Sequence, residues 1–478
     1  MYSFLISLAI LIVGYFTYGL FIEKLIKPNP KAKTVAMEKC DGVDYVPMPA
    51  WKIFFIQFLN IAGIGPIFGA IMGAKYGVAA YPWIVFGTLL AGAMHDYVAG
   101  MISLRNSGES LPESIGRYLG TTTRNVMAVI TLVLLILVGV IFVSSPAGLL
   151  ANLSQDTAEW MSTNFWACII FLYYFIVTLV PIDKIIGKVY PIFAIGLILM
   201  VVAVFIMLFI HGWSLPEFTD PIPDHPDGTP IFPMMFISIA CGAISGFHST
   251  QSPMMARCMK NEKLGRPIFY GAMVLEGIVA LVWAAAAIWF FSENGTDESN
   301  AAIVVNTITT DWLGTLGAVL AMVAVVFAPI TTGDTALRSA RLIVGDMFKI
   351  SQKKLRNRVL VSVAIFLVTI GLLLISVNNP KGFDIVWRYF SWCNQLIALF
   401  TLWMLTVYFV KQQKNYFVAL IPALFMCCVI VSYLVVAPEA LSLSQEWGYI
   451  IGGSASAIAL ILFIVWLRGG GRTSRHIR

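Results

Sequence analysis

The chain alternates apolar runs of about 20 residues, the length that crosses hydrocarbon as a helix, with short polar segments. Runs fall at about 2–22, 51–74, 79–104, 123–150, 164–182, 188–210, 231–252, 267–291, 312–333, 358–377, 385–410, 416–436 and 447–467. Between the third and fourth, Ser110 to Leu119 is predicted as an interfacial helix. The pattern predicts an all-α polytopic membrane protein of about thirteen transmembrane helices, with 1–478 as a single transmembrane domain. The first run lacks a basic leading segment and is long for a signal core, so it is expected to remain as a helix.

Two runs are interrupted. In QFLNIAGIGPIFGAIMGAKY (57–76), Gly63, Gly65 and Pro66 fall within four positions. Glycine weakens a helix and proline removes a donor and clashes with the preceding turn. The segment before Pro66 is expected to unwind and a new half-helix to start there, with free N–H groups around Gly65 to Phe68 that would hold an anion. A Pro-kinked helix with no ligand would leave the same trace. The second interruption is CGAISGFHSTQSP, within 231–252, with a break expected at Gly246. These are the second and seventh runs. An offset of five sends them through the membrane in opposite directions, so 51–211 and 231–410 (helices 2–6 and 7–11) read as a five-plus-five inverted repeat. One helix precedes the repeat and two follow it. Matching breaks in two such halves point to a transporter's central site.

Charge tests the count. With the N-terminus outside and every run crossing, all but Lys75, Lys381 and Arg388 of the 31 Lys and Arg lie inside. The outer loops at 211–230 and 292–311 carry Asp220, Asp224, Asp227, Glu293, Asp297 and Glu298 but no base. This is the positive-inside pattern, giving an outside N-terminus and a cytoplasmic C-terminus. The net charge of +6 is therefore an orientation signal, not a nucleic-acid footprint. Hydrophobic residues make up 59% and charged ones 12%, which excludes a soluble globule. None of the seven cysteines forms a C-x-x-C pair, so neither a disulfide framework nor a metal centre is indicated. No nucleotide-binding or hydrolase motif occurs, and energy would have to come from an ion gradient or the solute's own.

Polar groups at membrane depth usually face the bundle interior or a water path. Glu276 lies mid-run and is a candidate proton carrier, or a structural carboxyl bonded to a neighbouring helix. His95 and Asp96, near the inner end of the third run, are a second proton-relay candidate. Ser245, His248, Ser249, Thr250 and Gln251 follow the second break and are expected to line a cavity; Asn60 and Gln57 precede the first break. Asn394 and Gln395 can face the same space or bond between helices. Thr331 and Thr332 lie at the inner end of the ninth run. Four residues apart on one helical face, Asp334 and Arg338 are expected to pair.

NIAGIGPIFGA (60–70), HDYVAG (95–100), SGFHSTQSPMMAR (245–257), TTGDTALRSAR (331–341) and WRYFSWCNQ (387–395) carry a resemblance. On them, the chain resembles the carbon-starvation protein A (CstA) family of bacterial and archaeal inner-membrane transporters, from about Val13 to about Tyr408. Through that family it also resembles the amino acid–polyamine–cation superfamily, whose fold is the LeuT-like five-plus-five inverted repeat. The resemblance implies solute uptake in nutrient-limited cells, with peptides and pyruvate as substrates. The expectation is a secondary active importer of small carboxylate-bearing solutes in the inner membrane, driven by protons and linked to carbon starvation. Asn60, Gly63, Gly65, Pro66, Ser245, Gly246, His248, Ser249, Gln251, Asn394 and Gln395 would contact substrate, and Glu276, His95 and Asp96 would couple protons. The alternative is sodium coupling, with a cation between the unwound carbonyls around Ala62 and the hydroxyls of Thr331 and Thr332; a backbone bond one turn back would equally occupy those hydroxyls. The competing classes are a non-transporting starvation sensor and a channel. No cofactor beyond the ion gradient is expected; the partners are the solute and membrane lipid, with no nucleic acid. The chain is not read as an enzyme.

Overall fold

Hydrocarbon leaves backbone N–H and C=O groups no partner but each other, so apolar runs of this kind fold as helices. The computed structural model describes residues 1–154, 158, 160–179, 186–211, 214–226, 228–295, 301–378, 382–438 and 440–471, and every regular element among them is helical. Asp227, Asp297, Glu298, Lys381 and the side chain of Arg388 lie outside what is described.

In chain order, α1 (Tyr2–Phe16) and α2 (Tyr18–Ile26) make one run with a joint at Thr17. A turn, α3 (Val35–Glu38), precedes α4 (Ala50–Ile61) and α5 (Gly65–Ala74). Next come α6 (Ala80–Phe86), a π turn at Gly87–Gly92, α7 (Ala93–Arg105) and α8 (Leu111–Leu119). Then follow α9 (Thr121–Ser154), α10 (Thr163–Leu179) and α11 (Ile186–His211). The next run is fragmented into α12 (Phe236–Ser238), α13 (Ala240–Ala243) and α14 (Gly246–Ala256). It is followed by α15 (Gly271–Asn294), α16 (Ala301–Met322), α17 (Ala328–Met347) and α18 (Leu355–Asn378). The chain finishes with α19 (Gly382–Lys411), α20 (Phe417–Val436) and α21 (Gln445–Trp466).

Among the described residues nine helices are long and apolar enough to cross a membrane, or ten if α4 and α5, bent by 44° at their break, form one span. The three further expected runs are α10, the α12–α14 segment and the α16–α17 segment. The first is apolar but shorter and the second is in pieces. The third carries non-helical backbone at Gly314 (φ 59°) and a π turn at Val323–Phe327. α17 continues as helix beyond the expected end of the ninth run at 333, to Met347, and Asp334, Arg338 and Arg341 are buried in it, on the helix expected for the first two.

The two ends of the bundle differ. At one, the Met1 ammonium meets Glu217 at 2.5 Å, and the Tyr76 hydroxyl meets Thr229 at 2.9 Å. At the other, Arg105 pairs with Glu262 at 2.8 Å, Arg266 with Glu23 at 2.6 Å, and Lys414 donates to the Ile26 carbonyl. The broken elements lie in the middle. Gly65, Gly69 and Gly73 make a stripe on α5, where a Cβ would come within 2.6 Å of Cys241, 2.8 Å of the Ser238 carbonyl and 2.2 Å of Ile239. This small-residue face lets one broken run cross the other at backbone distance.

Candidate functional site

The first break falls where the glycines and proline place it. α4 ends at Ile61, Ala62 to Ile64 are non-regular, and α5 starts at Gly65 with Pro66 in its first turn. No side chain caps α5. One turn earlier on α4, Gln57 and Asn60 are fully buried, and none of their side-chain N or O atoms has a hydrogen-bond partner among the described residues. Buried polar atoms are nearly always paired, with protein or with ordered water.

The second break is at Ile244 and Ser245, both extended, one residue before the expected Gly246. Here α19 staples the open backbone. Asn394 Oδ1 accepts from Phe247 N at 2.8 Å and from Ser245 Oγ at 3.0 Å, while Gln395 Nε2 donates to the Ile244 carbonyl at 3.1 Å. Asn394 is engaged between helices and Gln395 through its Nε2 alone, its buried Oε1 having no hydrogen-bond partner among the described residues; Ser249 bonds to the Gly246 carbonyl and lies 3.3 Å from Thr401 Oγ1. Gly246 is needed for closeness: a Cβ there would come within 2.2 Å of the Asn394 carbonyl oxygen. Gln251 donates to Thr250 Oγ1 at 2.9 Å and accepts from Ser339 at 3.4 Å.

Three helices then bring the separate proton candidates into one row. Within α7, His95 Nδ1 bonds Asp96 Oδ1 at 2.8 Å. Asp96 Oδ2 stands 3.2 Å from Nδ1 of His248 on α14, and His248 Nε2 stands 3.4 Å from Oε2 of Glu276 on α15. All four side chains are fully buried. The His248 contacts are at ion-pair range but are not aligned as hydrogen bonds, which leaves both His248 nitrogens and both Glu276 oxygens open to another partner. Thr88, in the π turn before α7, donates to the Gly242 carbonyl at 3.0 Å and ties that helix to the second broken run. Two carboxylates and two imidazoles carry charge −2 with no added proton and zero with two. Uncompensated charge is costly when buried, so the row is cheapest to enclose when it holds the two protons that make it neutral.

The expected meeting of the second and ninth runs is present in part. Thr332 Oγ1 donates to the Leu59 carbonyl of α4 at 3.0 Å, one turn before the unwound residues. Thr331 Oγ1 donates to Ala328 O of its own helix at 2.7 Å. The expected Asp334–Arg338 pair is replaced by other partners. Asp334 accepts from Tyr173 at 3.0 Å and from Tyr190, whereas Arg338 reaches Asp44 at 3.1 Å. Arg341 binds the same Asp44 carboxylate at 3.1 and 3.2 Å. Sequence reasoning passed over Asp44, because an acid in a lysine-rich loop reads as solvated.

The fold is the LeuT-like one, in a chain with several helices long and apolar enough to cross a membrane. A manganese transporter of Eremococcus coleocola aligns with TM-score 0.58 and 13% identity, over 91% of this chain and 99% of that one. MhsT in complex with L-phenylalanine aligns at 0.58 and 13%, over 88% and 98%. A Na+-coupled sialic acid symporter aligns at 0.52 and 14%, over 95% and 96%. The chain belongs to the carbon starvation protein CstA family, whose model matches residues 1–219, 147–311 and 298–432. A membrane protein of Haemophilus influenzae is 42% identical over 60% of this chain and 91% of its own length. The peptide transporter CstA of Campylobacter jejuni is 28% identical over 65% of this chain, and the pyruvate/proton symporter BtsT of Escherichia coli is 26% identical over 59%. The matches span about half of those two transporters, 54% and 48% of their lengths. Kin and fold are those of transporters rather than enzymes.

Proposed function

We propose that the chain is a secondary active importer of small carboxylate-bearing nutrients, pyruvate or short peptides, coupled to protons. The inner membrane is its seat, ten of its thirteen spans form two inverted repeats (51–211 and 231–410), and its N-terminus is outside. The observation that carries the reading is the buried polar row His95–Asp96–His248–Glu276 placed against two broken helices. In this reading the solute's carboxylate sits at the start of α5, on the N–H groups of its first turn beyond Gly63 (Pro66 has none, and Phe68 N already donates to the Ile64 carbonyl at 2.8 Å), with Asn60 and Gln57 beside it. The other half-helix start, at Gly246, is less available because Asn394 already caps it. Asn394, Gln395, Ser245 and Ser249 then shape the site from behind, while Gln251 lies one turn further along α14.

Coupling follows from electroneutrality. A carboxylate arriving in a closed apolar enclosure adds one negative charge, and a proton taken up on the His248–Glu276 pair cancels it. Solute and proton then cross together more cheaply than either alone. Asp96 and His95 would extend the proton's path from that pair. One observation favours sodium as a second reading: Thr332 Oγ1 already reaches a carbonyl of the broken run, and hydroxyl and carbonyl oxygens suit a hard cation. Thr331 and Ala62 would complete such a site.

The test is uptake into proteoliposomes of labelled pyruvate and of di- and tripeptides under imposed proton or sodium gradients. Accumulation driven by the proton gradient, with saturation and counterflow, is expected. A channel would conduct without saturation or counterflow, and a sensor would take up nothing.

A further inference from the structure

SGFHSTQSPMMAR ends on Arg257, which the proposed site does not use, although it lies nine residues beyond His248 on the same run. Arg257 is only 4% exposed. Its Nε donates to the Gly108 carbonyl at 2.8 Å, its guanidinium lies 5.1 Å above the Tyr45 ring, and Nη2 stands 3.8 Å from Asp346. It forms part of the floor of a polar cavity of about 730 Å3 at the basic end of the bundle. In the walls, Arg117 is paired with Glu109 at 2.6 Å and Arg124 with Glu113 at 3.5 Å, while Arg105 is paired with Glu262. The cavity's remaining charges are Arg257, Lys349 and Asp346, which leave an excess of one positive charge.

Arg257 also lines a second, small cleft of about 10 Å3, too small for more than one water. That cleft is lined by Thr250, Ser339 and Ser110 among others, and the buried Ser110 hydroxyl has no hydrogen-bond partner among the described residues. Ser339 and Thr250 both touch Gln251. Gln251, Thr250 and Ser339 thus place bonded polar side chains between α14 and α17, and Thr250 and Ser339 share the lining of this cleft with Arg257, which also lines the open cavity.

We propose that Arg257 is the cytoplasmic acceptor for the solute's carboxylate, a second binding station that the anion occupies as it leaves the buried site. The guanidinium presents a planar fork matched to a carboxylate, and its hold on Asp346 is long enough to yield to a closer anion. Its Gly108 and Tyr45 contacts keep it over the cleft until then, so the same side chain closes the path and receives the cargo. Arginine rather than lysine fits this role because it binds the carboxylate with two parallel hydrogen bonds.

This inference rests on the reading of the chain as a carboxylate importer. The experiment measures half-saturation for labelled pyruvate and for a dipeptide from each side of oriented proteoliposomes, in wild type, Arg257→Gln and Arg257→Lys. Arg257→Gln is expected to raise the cytoplasmic-side half-saturation about tenfold, the worth of one charge-assisted hydrogen bond, and to leave the outer-side value unchanged. Arg257→Lys, which keeps the charge and loses the fork, is expected to fall between. Should Arg257→Gln fail to fold, a one-sided rise in Arg257→Lys supports the proposal. In whichever variant folds, equal shifts on both sides, or no shift on either, overturn it and leave the importer reading standing. If the wild type takes up neither solute, that reading fails and the acceptor falls with it.

Discussion

Replacing Asp44 by asparagine probes how α17 is held to the segment before α4. The carboxylate is 3% exposed and serves two guanidinium groups that are themselves buried, Arg338 at 1% and Arg341 at 0%. Removing one partner of a buried ion pair costs about 3–5 kcal/mol, because the other charge is left uncompensated. Asparagine retains an acceptor oxygen, and Val177 O and Gln352 Oε1, each at 2.6 Å, still hold Arg338 and Arg341. The expected loss is therefore at the low end, about 3 kcal/mol. Thermal and denaturant melting of the detergent-solubilised protein at neutral pH would measure it. Removing a second charge in Asp44→Asn/Arg341→Gln should restore part of the loss. The acid limb gives an independent reading. Burial pushes the Asp44 carboxyl up, but Arg341 and Arg338 outweigh it and hold the group below the usual carboxylate range. A depressed carboxyl stabilises the fold above its ordinary pKa of about 3.9, and that contribution is lost as pH falls through the lower folded value. Asp44→Asn should lack this part of the acid transition. An Asp44→Asn protein that melts with wild type, or a double variant weaker than the sum of the singles, would refute the reasoning.

Gly246→Ala should lower the melting midpoint by the equivalent of about 1–3 kcal/mol, since its Cβ meets backbone of α19 rather than a movable side chain. Retention of wild-type stability would mean the two helices are not so close. Impermeant maleimide labelling of single cysteines should find Phe218→Cys reachable from outside and Lys353→Cys only from the cytoplasm; both on one side would contradict the orientation. Thr332→Val should leave uptake insensitive to sodium if protons drive it, and would abolish a sodium stimulation if the threonine binds that ion. Uptake at fixed pH and membrane potential decides between them.

The broken runs were legible because glycine and proline act locally: Gly63, Gly65 and Pro66 end one helix and start another whatever surrounds them. The second break, marked by Gly246, was read to within one residue for the same reason. The LeuT-like class was legible from the two breaks and the motifs, and the family from the motifs. Partnerships between helices were not. His95–Asp96 and Glu276 read as rival proton sites, since nothing in the sequence says that His248 of a third helix stands between them. Asp334 and Arg338 have the spacing of a helical pair, yet tertiary partners on α10, α11 and the Asp44 loop outcompete it. Burial of charge is unfavourable on average, and nothing in the sequence shows that Asp44, Val177 O and Gln352 gather around Arg338 and Arg341 to make it tolerable here. Asn394 and Gln395 carried no mark to distinguish a staple from a ligand contact.

The central claim is that an anion and a proton share one buried enclosure, with Glu276 and His248 holding the proton. Its most direct measurement is pyruvate accumulation in proteoliposomes under an imposed proton gradient, set beside pyruvate exchange at equilibrium, in wild type and Glu276→Gln. With the carboxyl replaced by a neutral amide, the substrate's charge has no proton to travel with. Glu276→Gln is expected to lose gradient-driven accumulation while exchange persists in part. Accumulation by Glu276→Gln equal to wild type would contradict it.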